Sequence, residues 1–332
     1  MEFNYSIEII PAAAIGEAIA GTPALIVDTT TNDDMAKLLG ALYSVSNKKI
    51  YYTRPGINGL SRTLALAEEN GIRCIVLGGK KAPDFSTALP AASYSASLIA
   101  PGNSSADTAK LLKSIISDNN VTEFSHIAYQ TYRYEASVLK ELKERQFEEL
   151  RLGELRKDIA LTEPLLRNKE YIFMDLRSVR YSDFPDNETH SPNGLYAEEI
   201  CQIARYAGMG QRVKRIYIFG YPSKCKAESP SSQLAAEILW HMTEALATNK
   251  HEDPGALGKD EHFLRKIVSM GEHGQDIVFV TSSSTGRWWM EVPEIKINKN
   301  QYIPCSYSDY LAACSGDVPI RWLFFFQKIN PN

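Results

Sequence analysis

An aspartate and an arginine two residues apart, Asp175 and Arg177, close the apolar run 171–176. Residues i and i+2 of a strand project to the same face, so this spacing predicts a carboxylate and a guanidinium side by side at a strand end. Arginine stays protonated in proteins, so the chemistry expected of the two is an ion pair. Other apolar runs also end in polar or glycine-rich groups: Asp28, Arg54, Gly78-Gly79-Lys80-Lys81, Tyr129-Gln130 and Gly220-Tyr221. In an open parallel sheet such ends line the ligand crevice. Arg54, Lys80, Arg177 and Tyr221 would offer an anionic ligand a basic pocket, with Asp175, Asp183 and His190 beside it. No spacing assigns a catalytic role to any of them.

The remaining nucleophiles and metal-ligand types do not assemble by spacing. Five cysteines, Cys74, Cys201, Cys225, Cys305 and Cys314, are odd in number and form no C-x-x-C pair, so reduced thiols packed as small apolar residues are expected. Cys225 is the one considered as a nucleophile, and spacing brings no histidine or acid to it. His251-Glu252-Asp253 and Asp260-Glu261-His262 read as solvated charges. His241 and His126 read as packed or hydrogen-bonded residues, and Trp288-Trp289 as core. There is no Walker loop and no Gly-x-Gly-x-x-Gly turn, so nucleotide binding has no support.

The elements that must position these residues alternate in strict order. Strands are predicted at 24–27, 50–52, 74–77, 93–99, 125–132, 171–176 and 215–219. Helices are predicted at 35–43, 60–69, 106–117, 138–156, 197–207 and 231–246, the first capped by Thr31, Asn32, Asp33 and Asp34. Such alternation argues for an α/β fold of three layers, a mostly parallel sheet covered on both faces. Residues 276–292 predict an added strand pair before a last short helix. No linker interrupts the pattern, so one domain over 1–332 is expected.

Composition narrows the function classes. With 332 residues, 44% hydrophobic, the chain is long enough to bury a full core without staples. Its 36 Lys+Arg against 40 Asp+Glu, net charge -4, leave no footprint for nucleic acid. No apolar run approaches a membrane span, and Glu2, Glu8, Pro11 and Glu17 break any leader-like start. A cytoplasmic, globular protein is expected.

Residues 175–194 resemble a signature of the arginase (ureohydrolase) superfamily: Asp-aliphatic-Asp, then a proline with a small residue, then glycine. Here it reads Asp175-Leu176-Arg177, Tyr181, Pro185-Asp186 and Gly194. Pro192-Asn193-Gly194-Leu195-Tyr196-Ala197-Glu198-Glu199 is similar to the family's turn into a helix. The runs 125–132, 200–209 and 287–293 look like its formimidoylglutamase-like branch. The resemblance is dense from about 123 to 328 and weaker over 1–122. It implies the three-layer arginase-like fold and a homo-oligomer.

Active relatives hold two Mn²⁺ ions that supply hydroxide to attack a guanidino or formimino carbon. Their ligands come from Gly-Gly-x-His, Asp-x-His-x-Asp and Asp-x-Asp motifs. In this sequence Gly78-Gly79 is followed by Lys80 and Lys81, residues 92–100 carry neither Asp nor His, and Arg177 stands at the second Asp. Ile218-Phe219-Gly220-Tyr221-Pro222 lacks the further acid used for substrate. At about 4 Å and an effective dielectric of about 20, each unit charge pair is worth roughly 4 kcal/mol. Lys80 and Arg177 would therefore repel a dication more than Asp175 attracts it. The reading that follows is a degenerate member of that superfamily, without a bound metal or metal-dependent hydrolysis, binding a small-molecule ligand or serving as an oligomer or scaffold protein. The alternative is an active amidine hydrolase of formimidoylglutamase, arginase or agmatinase type, its Mn²⁺ site rebuilt from Asp28, Asp175, Asp183, Asp186 or His190.

Overall fold

Runs with few polar residues fold as strands buried on both faces. Leu25–Asp28, Cys74–Leu77 and Tyr94–Ile99 are buried at every position, as a parallel sheet covered on both sides requires. The computed structural model describes residues 3–331 except 5, 17, 18, 20, 31–33, 45–47, 57, 58, 104, 257–261 and 271–274. Thr31, Asn32 and Asp33, expected as caps, lie outside the described residues, as do Asp260 and Glu261.

The chain clusters as two units, Met1–Asn249 and Lys250–Asn332, where the alternating pattern predicts one domain. The first unit contains strands β1 (Phe3–Asn4), β2 (Ile7–Ile9), β3 (Leu25–Asp28), β4 (Tyr43–Ser44), β5 (Ile50–Thr53), β6 (Cys74–Leu77), β7 (Tyr94–Ile99), β8 (Val121–Tyr129), β9 (Glu148–Arg151), β10 (Tyr171–Asp175) and β11 (Arg215–Phe219). Its helices are α1 (Met35–Gly40), α2 (Leu60–Glu69), α3 (Phe85–Ala88), α4 (Ala106–Ser117), α5 (Ala136–Glu144), α6 (Leu152–Lys157), α7 (Thr162–Arg167), α8 (Ala197–Gly208) and α9 (Pro230–Thr248). Nine strands form one sheet in the order β2-β5-β3-β6-β11-β10-β7-β8-β9. Every pairing in it is parallel. β1 and β4 make a separate antiparallel pair.

Alternation along the strands builds two cores. Ile26, Ile75, Ile172, Met174 and Ile218 pack with α1, α7, α8 and α9 on one face. Leu25, Val27, Val76, Phe173 and Tyr217 pack with α2, α4 and α5 on the other. This is the expected three-layer α/β arrangement, and it presents the carboxyl ends of β3, β5, β6, β11, β10, β7 and β8 along one edge.

The helix expected over 138–156 is corrected to α5, a turn, β9 and α6. Gln146 takes φ 54°, a left-handed conformation that ends the first helix. Glu148, Glu149 and Arg151 then form an edge strand, where a charged sequence is tolerated because one side faces water.

In the second unit, β12 (Phe263–Val268), β13 (Ile277–Ser282), β14 (Trp288–Glu294) and β15 (Lys299–Cys305) form an antiparallel sheet. Two helices follow, α10 (Tyr307–Cys314) and α11 (Ile320–Ile329). The expected strand pair is β13 and β14. Polar stretches such as Arg265-Lys266 and Lys299-Asn300 conceal its two neighbours from a hydrophobicity reading. Trp289 is buried, while Trp288 is half-buried and stacks on Tyr310 at 5.0 Å.

Candidate functional site

Asp175 ends β10 and is completely buried. Its Oδ1 accepts from the backbone N–H of Arg177 at 3.0 Å and from Arg177 Nε at 2.7 Å. Its Oδ2 accepts from Thr108 Oγ1 at 2.8 Å, and that hydroxyl accepts in turn from Arg177 Nη2 at 3.0 Å. The predicted ion pair therefore exists, but not by the predicted route. Residues Leu176–Ser178 leave the strand as a 3₁₀ turn that Asp175 itself caps, and this turn brings Arg177 back onto the carboxylate. The guanidinium also lies 5.7 Å from the centroid of the Phe219 ring.

Two glycines permit this geometry. Gly220 has φ 81°, and a Cβ there would sit 2.7 Å from Asp175 Oδ1 and 3.2 Å from Arg177 Nε. Gly220→Ala combines a left-handed backbone with that intrusion, so a loss of about 2 kcal/mol or more is expected in urea unfolding. A cost below 0.5 kcal/mol, on the order of an ordinary surface substitution, would show that the pair is not tightly held. Gly194 of the signature approaches backbone: a Cβ would meet Ser178 O at 2.5 Å and Arg180 N at 2.6 Å. That closeness lets Leu195 N–H reach Ser178 O at 2.7 Å and Arg180 N–H reach Leu195 O at 3.0 Å.

A second buried carboxylate, Asp28, ends β3. It accepts from Tyr52 Oη and from the Thr30 N–H at 2.7 Å, and lies 3.5 Å from Arg54 Nε. Burial pushes its carboxyl above the usual range, against the pull of Tyr52, Thr30 and Arg54. Burial and the neighbouring carboxylate push the Tyr52 phenol up as well. Tyr221 is buried, with its Oη 2.7 Å from Ser232 Oγ.

The other expected site residues are dispersed. Lys80 is more than half exposed and pairs with Glu188 at 2.6 Å. His190 is exposed, its Nδ1 2.9 Å from Glu188 O and its ring tilted against Tyr181. Asp183 accepts from Arg180 Nε at 2.7 Å, Ser182 Oγ at 2.8 Å and Ala197 N–H at 2.9 Å, which ties it to the start of α8. Burial raises its carboxyl, but these three hydrogen bonds and the Arg180 charge outweigh it and hold it below the usual value. Asp186 accepts from Ser229 Oγ and from the Cys225 thiol at 3.5 Å, and the serine bond leads in holding this carboxyl low. An acid does reach Cys225, then, across 39 residues; no histidine takes part in these bonds. Glu252, expected to be solvated, accepts from Ser282, Ser284 and Thr285.

Thr108 and Tyr52 are the functional neighbours that spacing misses. Thr108 reaches Asp175 across 67 residues and Tyr52 reaches Asp28 across 24, so only the folded sheet connects them. Also beyond spacing is an open groove of about 420 Å³ at the ends of β8 and β9, lined among others by Tyr129, Gln130, Arg151, Arg156, Lys157 and Asn193. Arg151 and Lys157 share the single carboxylate of Glu154, each at 3.2 Å.

These residues do not fit a pair of Mn²⁺ ions. A hard dication wants several carboxylate or imidazole ligands at once. Both oxygens of Asp175 already accept hydrogen bonds, and Asp28 lies three strand spacings away, roughly 14 Å at about 4.8 Å each. Among the described residues no group of three or more His, Cys, Asp or Glu side chains is placed to hold a metal. No helix among them is long and apolar enough to cross a membrane.

No protein-family model matches the sequence, and no curated protein matches it. Solved structures do match. Formiminoglutamase of Trypanosoma cruzi with Mn²⁺ aligns with a TM-score of 0.58 and 17% identity, over 72% of this chain and 99% of that one. Formimidoylglutamase of Bacillus subtilis aligns with a TM-score of 0.59 and 13% identity, over 74% and 92%. A quadruple mutant of the T. brucei arginase-like protein, with three serines changed to aspartate and one arginine to histidine, aligns with a TM-score of 0.51 and 10% identity, over 72% and 94%. The fold is arginase-like.

Proposed function

We propose that this chain is a degenerate arginase-fold protein that works by binding, without metal-dependent amidine hydrolysis. One observation carries the reading: Arg177 and Thr108 occupy both oxygens of Asp175, the sole acid kept from the metal motifs. A guanidinium bonded at 2.7 Å neutralises this carboxylate, as a metal would in an active relative. The T. brucei mutant supports the reading by chemistry. Its substitutions trade serine and arginine for the residue types that bind divalent metals, and this chain would need changes of the same kind.

The ligand class follows from charge. In the groove beside β8 and β9 two cations share one carboxylate, leaving a positive charge for a small carboxylate or phosphate between Tyr129 and Asn193. Exposed ion pairs of this sort contribute little by themselves, so an anionic ligand can displace Glu154 at small cost.

Titration with Mn²⁺ in a calorimeter, followed by metal analysis after dialysis, tests the central statement. The expected result is no stoichiometric binding, and no turnover of formiminoglutamate, arginine, agmatine or guanidinobutyrate. One tightly held Mn²⁺ per chain, or metal-dependent turnover of any of the four, would restore the hydrolase reading.

A further inference from the structure

We infer that residues 250–332 form a module added to the arginase fold, which folds and unfolds apart from the rest of the chain. The first ground is a matter of shares. The T. cruzi formiminoglutamase is matched over 99% of its length by 72% of this chain, and the B. subtilis formimidoylglutamase over 92% of its length by 74%. A nearly complete arginase fold therefore uses about three quarters of these residues. Met1–Asn249 is that share of the chain, and it contains the nine-stranded parallel sheet with its two cores. Asp28, Asp175 and the groove beside β8 and β9 all lie in it, so the candidate site belongs to the inherited fold. Lys250–Asn332 is the quarter left over.

The second ground is what this quarter builds. Its strands pair in chain order, β12-β13-β14-β15, all antiparallel, so no crossover helix is needed. Ile277 and Phe279 of β13, Met290 and Val292 of β14, and Ile303 and Cys305 of β15 stand two residues apart and share one face. Ala313 of α10 and Trp322 of α11 join them in one apolar cluster. Three hydrogen bonds fix α11 and its end to the sheet. Trp322 Nε1 donates to Glu291 O at 2.9 Å, Arg321 Nη1 to Pro304 O at 2.6 Å and Asn330 Nδ2 to Pro293 O at 2.9 Å. The start of the segment is tied back in the same way. Arg287 Nη1 donates to Lys250 O at 3.1 Å, and Glu252 accepts from Ser282 Oγ and Thr285 Oγ1, both at 2.5 Å. Three or more strands packed against a helix suffice for independent stability. The segment is also well above the roughly 40 residues below which a domain needs staples.

Urea unfolding of the full chain, followed by two signals, tests the inference. Trp288, Trp289 and Trp322 lie in the second unit and Trp240 in the first, so tryptophan fluorescence reads mainly the second. Far-UV circular dichroism reads mainly the first, which contains α1 to α9. Two transitions are expected, with the fluorescence midpoint the lower because the smaller unit buries a smaller share of its surface. Two variants separate the units, each truncating a wholly buried core residue. Met290→Ala, in the second unit, should lower only the fluorescence midpoint, and Ile172→Ala, on β10, only the dichroism midpoint. If Met290→Ala leaves the second unit unfolded without urea, the dichroism midpoint is still expected at its wild-type value. Separate displacement upholds the inference whatever the spacing of the wild-type midpoints. A variant that displaces both midpoints together overturns it, because one core would then be holding both units. Neither signal depends on metal or ligand, so the outcome is independent of the reading of Asp175.

Discussion

Arg177→Ala is expected to destabilise the chain by about 3–5 kcal/mol, read as a lower urea midpoint at unchanged slope. The physical reason is asymmetric. Asp175 is fully buried, and losing the guanidinium removes the cation bonded to its carboxylate in the low-dielectric interior, where the Thr108 hydroxyl and the Arg177 backbone N–H carry no charge to balance it. Asp175→Asn should be costly for the converse reason, because it strands a guanidinium that is only 6% exposed. The double variant Asp175→Asn/Arg177→Met should recover most of the loss, since an apolar side chain of similar size removes the need for a partner. A coupling energy of at least about 2 kcal/mol is the expected outcome of that cycle. Additive single effects would mean that the two side chains do not depend on each other, and the account of Arg177 as the replacement for a metal would fail. Arg177→Lys should not substitute, because its point charge cannot place one nitrogen on Asp175 and another on Thr108.

The pair also marks how far the sequence could be read. Asp175 and Arg177 are close in the chain, so their contact is a local matter that spacing predicts, although a 3₁₀ turn achieves it instead of a continuing strand. The strand positions are likewise accessible wherever apolar runs are pure, as at Leu25–Asp28, Cys74–Leu77 and Tyr171–Asp175. Edge elements escape, because β9 and β12 need bury only part of their surface and carry Glu, Arg and Lys. The site escapes for a different reason. Thr108 sits in the first turn of α4 with its N–H capped by Ser105, an ordinary helix start that says nothing of the carboxylate above it. Lys80, placed by its motif at the centre of the crevice, turns outward to Glu188, 108 residues away. Where a metal would gather distant ligands to one point, this chain gives each acid its own set of partners, several of them far away in sequence, and no periodic pattern records such choices.

His126 gives the second large effect, and it is a pH dependence. The imidazole is wholly buried on β8, stacked between Phe124 at 6.4 Å and Tyr129 at 5.2 Å, with Nε2 3.0 Å from Tyr134 Oη. Burial drives its pKa from 6.5 to about 3, against a small opposing pull from the Ala100 backbone. A depressed histidine binds its proton in the unfolded chain first. Its contribution is therefore complete above pH 6.5 and is lost progressively as pH falls toward 3. The slope is about 1.4 kcal/mol per pH unit, which predicts about 2 kcal/mol lost between pH 6.5 and 5. His241, lowered by burial and by Arg205, adds in the same direction. Asp28 and Glu149, raised chiefly by burial, act in the opposite sense. Both carboxyls are unchanged in His126→Phe, which keeps the stacking, so the difference between wild type and variant from pH 6.5 to 5 reads the His126 contribution. Unfolding free energies of wild type and variant that run parallel across that window would mean that His126 is reached by water, and that the interior beside β8 is open rather than packed.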